Sequence, residues 1–367
     1  MAVVADIRER GTIELSVGEF TGALGDLITV LPILVALGAL TPLPLAQTLL
    51  LFGAFQIVWG VYYGLPMSVE PMKALAGLAI AGAIGYGELL AAGLLAGVVL
   101  LVAGRTGTLA HLQQVVGEPV VRGIQLGVGL VLAVSGLELA VGDPVLAAAA
   151  VGITLVMVAL GFRRASALAV LGFGGLLAVR AIGLPAPALP ALAVFPTGLP
   201  PMTMGSAEGA AAQLAMTIGN AAVATSLLCS DLFDREVSAD DLAESMGAMC
   251  LAAIPAGGLP MCHGSGGLAG KHAFGARTGG ANLILGGVYL GLALIVGVVA
   301  AFPTAVLGVL LVIVAAQLAR SAMGTDQLAL TVGIGVLAVL VNIGLAFVVG
   351  IAVSLVRRRR RGDAAGV

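Results

Sequence analysis

The chain is a succession of apolar runs, most of them about long enough to cross a membrane, with few charged residues between them. Only 10% of its 367 residues are charged and the mean hydropathy is +1.13, whereas a soluble domain carries about 25% charged residues. This small number of charged residues is not enough for the surface of a soluble protein. We therefore predict an all-α polytopic protein of the lipid bilayer. The fourteen predicted spans are approximately 20–40, 43–63, 68–84, 87–104, 119–139, 144–162, 165–182, 207–228, 241–256, 263–277, 281–301, 304–319, 327–341 and 342–356.

The basic residues indicate which side of the membrane each loop faces. With the N-terminus inside, the outside segments hold only Arg180. This asymmetry follows the positive-inside rule and predicts a plasma-membrane protein with both termini in the cytoplasm. The five-arginine tail is interpreted as an anchor, so no nucleic-acid partner is expected. The basic residues assigned to the inside are Arg8, Arg10, Arg105, Arg122, Arg163, Arg164, Arg235, Lys271, Arg277, Arg320 and the arginines at 357–361.

Two related stretches divide the chain into two units. Residues 64–73 read GLPMSVEPMK and residues 258–267 read GLPMCHGSGG, so the shared GLPM recurs 194 positions later. The same offset relates LGD at 24–26 to IGN at 218–220. Because each unit holds seven spans, the copies must insert in opposite orientations, which predicts a 7+7 inverted repeat of the kind found in many secondary transporters. The predicted divisions are a first repeat at 1–182, a proline-rich external linker at 183–206, a second repeat at 207–356 and a basic cytoplasmic tail at 357–367.

Each GLPM stretch is predicted to break a helix at the membrane midplane and to start a half-helix. Such a start leaves about four backbone N–H groups without partners and carries about +0.5 elementary charge. Two such ends facing each other form an anion site without any need for a lysine. The neighbouring residues that would donate hydrogen bonds or allow a close approach of the backbone are Ser68, His263, Gly264, Ser265, Gly266 and Gly267.

Ionisable residues within the predicted spans are further candidates, because a charge in the membrane is costly and usually functional. Lys73 is predicted to contact the substrate, and the structural alternative is an ion pair with Glu70, three residues earlier on the same helical face. Asp26 is expected to hold a coupling cation, to relay a proton or to cap the broken helix. Its repeat mate, Asn220, is neutral, so the two halves are not chemically equivalent.

Four stretches resemble the molybdate transporter family related to the SulP anion transporters. They are GALGDLITVLP at 22–32, GLPMSVEPMK at 64–73, TIGNAAVAT at 217–225 and LPMCHGSGGLAGKHAFGARTGG at 259–280. The resemblance implies core and gate bundles, with the substrate between the third and tenth spans and flanked by the first and eighth. No STAS domain is expected after the last span, and a glutamine is usual in the family at the position of Glu70. The resemblance places near the anion Asp26, Ser68, Val69, Lys73, Asn220, Thr225, His263, Gly264 and Ser265.

The sequence therefore predicts a secondary active transporter of a tetrahedral oxyanion, molybdate first and sulfate second, working by alternating access. Importing a dianion against about 100 mV costs about 4.6 kcal/mol, so a co-transported proton is expected at Glu70 or Asp26. A general anion transporter, an anion channel and a nucleobase permease are the alternatives. An intramembrane enzyme using Cys262 and His263 is disfavoured, because no nucleophile, base and orienting acid converge. Neither a cofactor nor a metal site is predicted, and a homodimer is left open.

Overall fold

The computed structural model describes residues 13–109, 111 and 116–364. Within these residues the chain forms fifteen helices and two very short strands. Arg8 and Arg10, predicted to face the cytoplasm, lie outside the described residues. The helices are α1 (Val17–Leu40), α2 (Leu45–Tyr63), α3 (Lys73–Ile80), α4 (Tyr86–Thr106), α5 (Glu118–Val141), α6 (Pro144–Ala159), α7 (Ser166–Ile182), α8 (Met204–Phe233), α9 (Ala239–Ala253), α10 (Ser265–Ala273), α11 (Gly280–Leu294), α12 (Val296–Ala300), α13 (Thr304–Ala322), α14 (Leu328–Leu340) and α15 (Ile343–Ala364). The strands are β1 (Glu70–Pro71) and β2 (Met261–Cys262).

These helices follow the predicted spans one by one, if α11 and the five-residue α12 are counted as a single span. Among the described residues, six helices are long and apolar enough to cross a membrane by themselves, namely α1, α2, α4, α5, α8 and α13. The all-α membrane fold predicted from the apolar runs is confirmed. Helix α15 continues to Ala364, so the first residues of the basic tail extend this helix.

A stretch without helix precedes each of the two short helices α3 and α10, as the GLPM sequences predict. Helix α2 ends at Tyr63 and its C-cap is Gly64, whose φ of +64° is a left-handed conformation that favours glycine. The chain then runs without helix to Met72, because prolines at 66 and 71 lack the N–H that a helix needs. Helices α3 and α10 have only 8 and 9 residues, and at about 1.5 Å per residue each covers less than half of a hydrocarbon core about 30 Å thick.

The helices pack as two bundles. In the core bundle, α2 packs against α11, α4 against α8 and α9, and α1 against α10. In the gate bundle, α5 packs against α13 and α14, and α6 packs against α7. Helices α4 and α9 approach so closely that a side-chain carbon at Gly104 or Gly247 would collide with the backbone of the facing helix, which is the role of small residues in membrane helix packing.

The proline-rich linker lies against one end of the core bundle. Residues 183–203 form no helix or strand. The backbone of Ala188 donates a hydrogen bond to the carbonyl of Leu294, at 3.0 Å, and that of Phe195 donates to Pro255, at 2.9 Å. The side chain of Gln47 donates to the carbonyl of Ala193 at 2.8 Å. The linker therefore contacts both repeats, while the exact repeat and linker boundaries stay predictions.

Candidate functional site

The two helix breaks lie side by side and are joined through their backbones. Strands β1 and β2 pair in antiparallel fashion, with Glu70 opposite Cys262 and Pro71 opposite Met261. The backbone N–H of Met72 also donates to a carbonyl of the other break, at 2.9 Å. As a result, the first turns of α3 and α10 begin close together at the centre of the core bundle. Their N-cap residues are a methionine and a glycine, which offer no side-chain oxygen to the first turn.

The first turn of α3 is nevertheless capped from outside. The amide oxygen of Gln213, in α8, accepts hydrogen bonds from the backbone N–H groups of Ala74 at 2.9 Å and Leu75 at 3.4 Å. The amide nitrogen of Gln213 donates to the hydroxyl of Thr217 at 2.9 Å, which fixes its orientation. Two of the N–H donors of this half-helix are therefore already used within the protein.

The start of α10 opens instead into a small cavity of about 110 Å³. A side-chain carbon added at Gly266 would meet no described atom within 4 Å, so the backbone faces open space here. The volume lies between the roughly 30 Å³ of one water and the roughly 300–1,000 Å³ of pockets for drug-sized ligands, and therefore suits a small ion. The cavity is lined by Thr29, Lys73, Gln125, Asn220, Ser265, Gly266, Val314, Gln317, Leu318 and Ser321.

A second cavity, of about 520 Å³, lies between α5 and α8. It shares Gln125 and Asn220 with the small cavity. At its other end it is lined by Glu118 and Arg122, on the side that the positive-inside pattern assigns to the cytoplasm. The two cavities therefore lie next to each other at these shared residues, and the larger one extends toward that face of the protein.

Two ion pairs lie beside the small cavity, and Lys73, which lines it, is the one member that is partly exposed. Glu70 pairs with Lys73, and Asp26 pairs with Lys271 at 3.1 Å. The hydroxyl of Ser68 joins the two pairs, since it lies 2.8 Å from both carboxylate oxygens of Asp26 and 3.3 Å from Oε1 of Glu70. The formal charges of the two carboxylates and the two ammonium groups cancel. Without a bound ligand, the centre of the core bundle therefore has no net formal charge but is highly polar.

These carboxylates pack directly on the start of α10, which explains Gly264 and Gly267. A side-chain carbon at Gly264 would overlap the carboxylate of Glu70, and one at Gly267 would overlap Ser68, Asp26 and Glu70. Any larger residue at either position would displace the ion pairs.

Lys271 was predicted to be one of the basic residues on the cytoplasmic side. This prediction is wrong, because its side chain lies in α10 and is fully buried. Besides Asp26, its Nζ approaches Oε1 of Gln56 at 3.1 Å, the carbonyl of Met67 at 3.3 Å and Oδ1 of Asn282 at 2.8 Å. A signal was present in the sequence, because residue 271 falls inside the predicted span 263–277, where a charge is functional by default.

His263 has both ring nitrogens engaged by the protein. Nε2 lies 2.8 Å from the hydroxyl of Ser245 and Nδ1 lies 3.0 Å from the carbonyl of Ser68. The rings of Trp59 and Tyr63 meet it edge to face, with centroids 5.7 Å away. The side chain is fully buried. In this structure its contacts stabilise the non-helical stretch that precedes α10.

The remaining predicted residues divide between the cavity and the layer behind it. Four of them line the small cavity, namely Lys73, Asn220, Ser265 and Gly266. Those behind it are Asp26, Ser68, Val69, Glu70, His263 and Gly264. Thr225 is buried, does not line this cavity, and its hydroxyl has no hydrogen-bond partner among the described residues. Their roles in binding or coupling stay predictions. Sequence reasoning did not find Thr29 or Gln125, because neutral polar residues in apolar helices carry no distinctive pattern.

Comparisons of the sequence point to one family. The family described as "Molybdate transporter of MFS superfamily" matches residues 18–132 and 205–318. Molybdate transporter 1 of Arabidopsis thaliana is 32% identical over 363 residues, covering 83% of this chain and 79% of that protein. Molybdate transporter 2 of the same plant is 29% identical over 362 residues, covering 83% of this chain and 78% of that protein.

Comparisons of the structure identify the fold. The transmembrane domain of a cyanobacterial bicarbonate transporter, BicA, matches with a TM-score of 0.64 at 20% identity, covering 90% of this chain and 97% of that one. The murine anion transporter Slc26a9, in its inward-facing state, matches with a TM-score of 0.69 at 13% identity, covering 98% of this chain and 71% of that one. The predicted 7+7 inverted repeat is thereby confirmed. It differs from the architecture named in the family description, because each MFS half has six spans.

Proposed function

The chain belongs to the molybdate transporter family, and from this premise we propose that it is a secondary active transporter that carries molybdate across the plasma membrane. In this proposal both termini lie in the cytoplasm and the anion binds in the cavity at the start of α10. The single observation that carries the proposal is this cavity of about 110 Å³, which brings together an ammonium group, a hydroxyl and an open helix N-terminus.

The lining of the cavity suits a tetrahedral oxyanion. Lys73 supplies a positive charge, and the N–H groups of the first turn of α10 supply aligned dipoles. The hydroxyl of Ser265 donates to Oδ1 of Asn220 at 2.7 Å, and rotation about its C–O bond would redirect it to a bound oxygen. None of these groups is suited to recognise a planar ring, which favours an oxyanion over a nucleobase.

Glu70 connects anion binding to a proton in this proposal. Its carboxylate pairs with Lys73 and so competes with the substrate for the same ammonium group. A proton on Glu70 would remove a negative charge from the vicinity of a dianion and free Lys73 to bind it. Asp26 is the second candidate for the proton, but its carboxylate is held by Lys271 and Ser68. We therefore place coupling at Glu70.

The energetics require such coupling for uptake. A dianion moving against about 100 mV needs about 4.6 kcal/mol, which one or two co-transported protons would offset in part or in full. Alternating access would move the core bundle, which holds α1, α3, α8 and α10, against α5 and α13 of the gate bundle. The large cavity that reaches Glu118 and Arg122 supports release toward the cytoplasm.

Binding to purified protein in detergent tests the site. Molybdate is titrated, with sulfate as competitor, into the wild type and the Lys73→Ala variant. Loss of the ammonium should weaken molybdate binding by about 10- to 100-fold, the value of a hydrogen bond to a charged group. Arg105→Ala is the control, because Arg105 is an exposed cation that forms its ion pair on the surface with Glu244. It should bind like the wild type.

Three outcomes distinguish the possibilities. Molybdate binding that sulfate displaces poorly supports molybdate as the substrate. Equal displacement by sulfate retains the site and widens the substrate to oxyanions in general. If folded protein binds neither anion, the proposed site is refuted.

Uptake by proteoliposomes tests the coupling. A pH gradient, acidic outside, should accelerate molybdate uptake by the wild type. Glu70→Gln should lose this response while still exchanging molybdate across the membrane, since the carboxylate is needed only for the proton. Uptake that ignores the gradient in the wild type would refute proton symport. A response that persists in Glu70→Gln but vanishes in Asp26→Asn would move the proton to Asp26.

A further inference from the structure

The ammonium of Lys271 sits in a cage of oxygen atoms contributed by four separate parts of the core bundle. The cage consists of Oδ2 of Asp26 in α1 at 3.1 Å, Oε1 of Gln56 in α2 at 3.1 Å, the carbonyl of Met67 at 3.3 Å and Oδ1 of Asn282 in α11 at 2.8 Å. The side chains of Asp26, Gln56, Asn282 and Lys271 are fully buried. Lys271 itself comes from α10, so the cage gathers the core bundle around one positive charge.

The two amides of the cage are oriented by the backbone. The side-chain nitrogen of Asn282 donates to the carbonyls of Gln56 at 3.0 Å and Met67. The side-chain nitrogen of Gln56 donates to the carbonyl of Val69 at 3.1 Å. Because both NH₂ groups have their own acceptors, both amide oxygens are left facing Lys271.

The composition of the cage is that of a cation site. Carboxylate, amide and backbone carbonyl oxygens are the ligands that hard metal cations take in proteins. The cage contains four oxygens, whereas an ammonium group has only three N–H bonds to donate. Its single carboxylate matches a single positive charge. Lys271 is not among the described residues lining the small cavity or the larger cavity beside it, so contact with the substrate does not explain it.

We propose that Lys271 is a tethered cation, which permanently fills a site for a monovalent alkali cation between α1, α2, α10 and α11. The core bundle is then held together without any dissolved cation, and Asp26 is not free to bind one. Replacing Lys271 by a small residue should restore the empty site, with Asp26 as its charged ligand. The inference concerns the assembly of the core bundle, and it does not depend on the identity of the transported anion.

Thermal unfolding of the full chain in detergent tests the proposal. The wild type, Lys271→Ala and the double variant Asp26→Asn/Lys271→Ala are melted in sodium, potassium and choline chloride at equal concentration. Choline has the same charge but is too large for the cage. The wild type should melt at the same temperature in all three salts. Lys271→Ala should melt lower in choline, because a buried carboxylate has lost its partner, and should gain about 5 °C, saturably, with sodium or potassium.

The double variant is the matched control, because it has the same space but no carboxylate. It should not distinguish alkali cations from choline. Equal melting of Lys271→Ala in the three salts, or an equal response of the single and double variants, would overturn the proposal. If Lys271→Ala folds only when prepared in sodium or potassium, that requirement supports it. Failure to fold in any of the salts overturns it, because a cation must be able to replace the ammonium.

Discussion

Gly266 and Gly267, in the first turn of α10, offer a sharp test of the site, because one faces open space and the other is tightly packed. Gly266 faces the small cavity, and a methyl group there would meet no described atom within 4 Å. A methyl group at Gly267 would overlap the hydroxyl of Ser68 and the carboxylates of Asp26 and Glu70. The perturbation is therefore the same substitution, glycine to alanine, made at two adjacent positions of one helix.

The expected difference in stability follows from two terms. Alanine favours a helix over glycine by about 1 kcal/mol, and both variants gain this. Gly267→Ala must also push aside three buried side chains, and they cannot move freely because ion pairs to Lys73 and Lys271 hold the two carboxylates. Overpacking of this kind costs about 1–3 kcal/mol. Gly267→Ala should therefore be about 1–3 kcal/mol less stable than Gly266→Ala.

Thermal unfolding in detergent measures the difference, which should lower the melting temperature of Gly267→Ala by about 1–4 °C relative to Gly266→Ala. Gly266→Ala should keep or raise the wild-type melting temperature, yet weaken molybdate binding, because the methyl group narrows the cavity. Equal melting of the two variants would refute the packing of the carboxylates on α10. Unchanged binding by Gly266→Ala would refute the location of the anion.

Three further predictions concern a helix cap, a helix contact and a surface ion pair outside the site. Gln213→Leu should lower stability by about 1–3 kcal/mol, because buried N–H groups in the first turn of α3 lose their acceptor; urea unfolding checks this. Gly247→Ala should melt lower than the wild type because it forces α4 and α9 apart, whereas Gly152→Ala, which meets no described neighbour, should not. Arg105→Gln should change the free energy of unfolding by less than about 1 kcal/mol, since Arg105 and Glu244 pair at the surface with 64% and 42% of their side chains exposed.

The sequence predicted the features of the fold that local chemistry determines. The spans follow from apolar runs, and the half-helices follow from the glycines and prolines of the two GLPM stretches. The repeat also predicted that two facing half-helix ends would hold the anion together. The structure makes them different, because Gln213 caps α3 whereas the start of α10 opens into a cavity. Gln213 lies 139 residues from the N–H group that it caps, and no local pattern reports such a contact.

The site could be predicted only in part for the same reason. Lys73 and Asp26 were found because a charge in an apolar span is rare. The partner of Asp26 was missed because the pair requires the approach of α1 to α10, which are far apart in the sequence. The π-helical stretch Thr217–Ala224 within α8 carries Asn220, and it replaces the expected regular helix. Such local deviations are frequent at functional sites but have no signature in a single sequence.

The pairing of Asp26 with Lys271 and of Glu70 with Lys73 has a consequence for how the membrane potential acts on transport. Each elementary charge carried through about 100 mV changes the free energy by about 2.3 kcal/mol. The formal charges of these four residues cancel, so an empty core bundle would return across the field without electrical work from them. The potential would then act on the loaded carrier, through the charges of the anion and its protons. Empty return is electrically silent in such a carrier, and the current reports only the steps that move substrate.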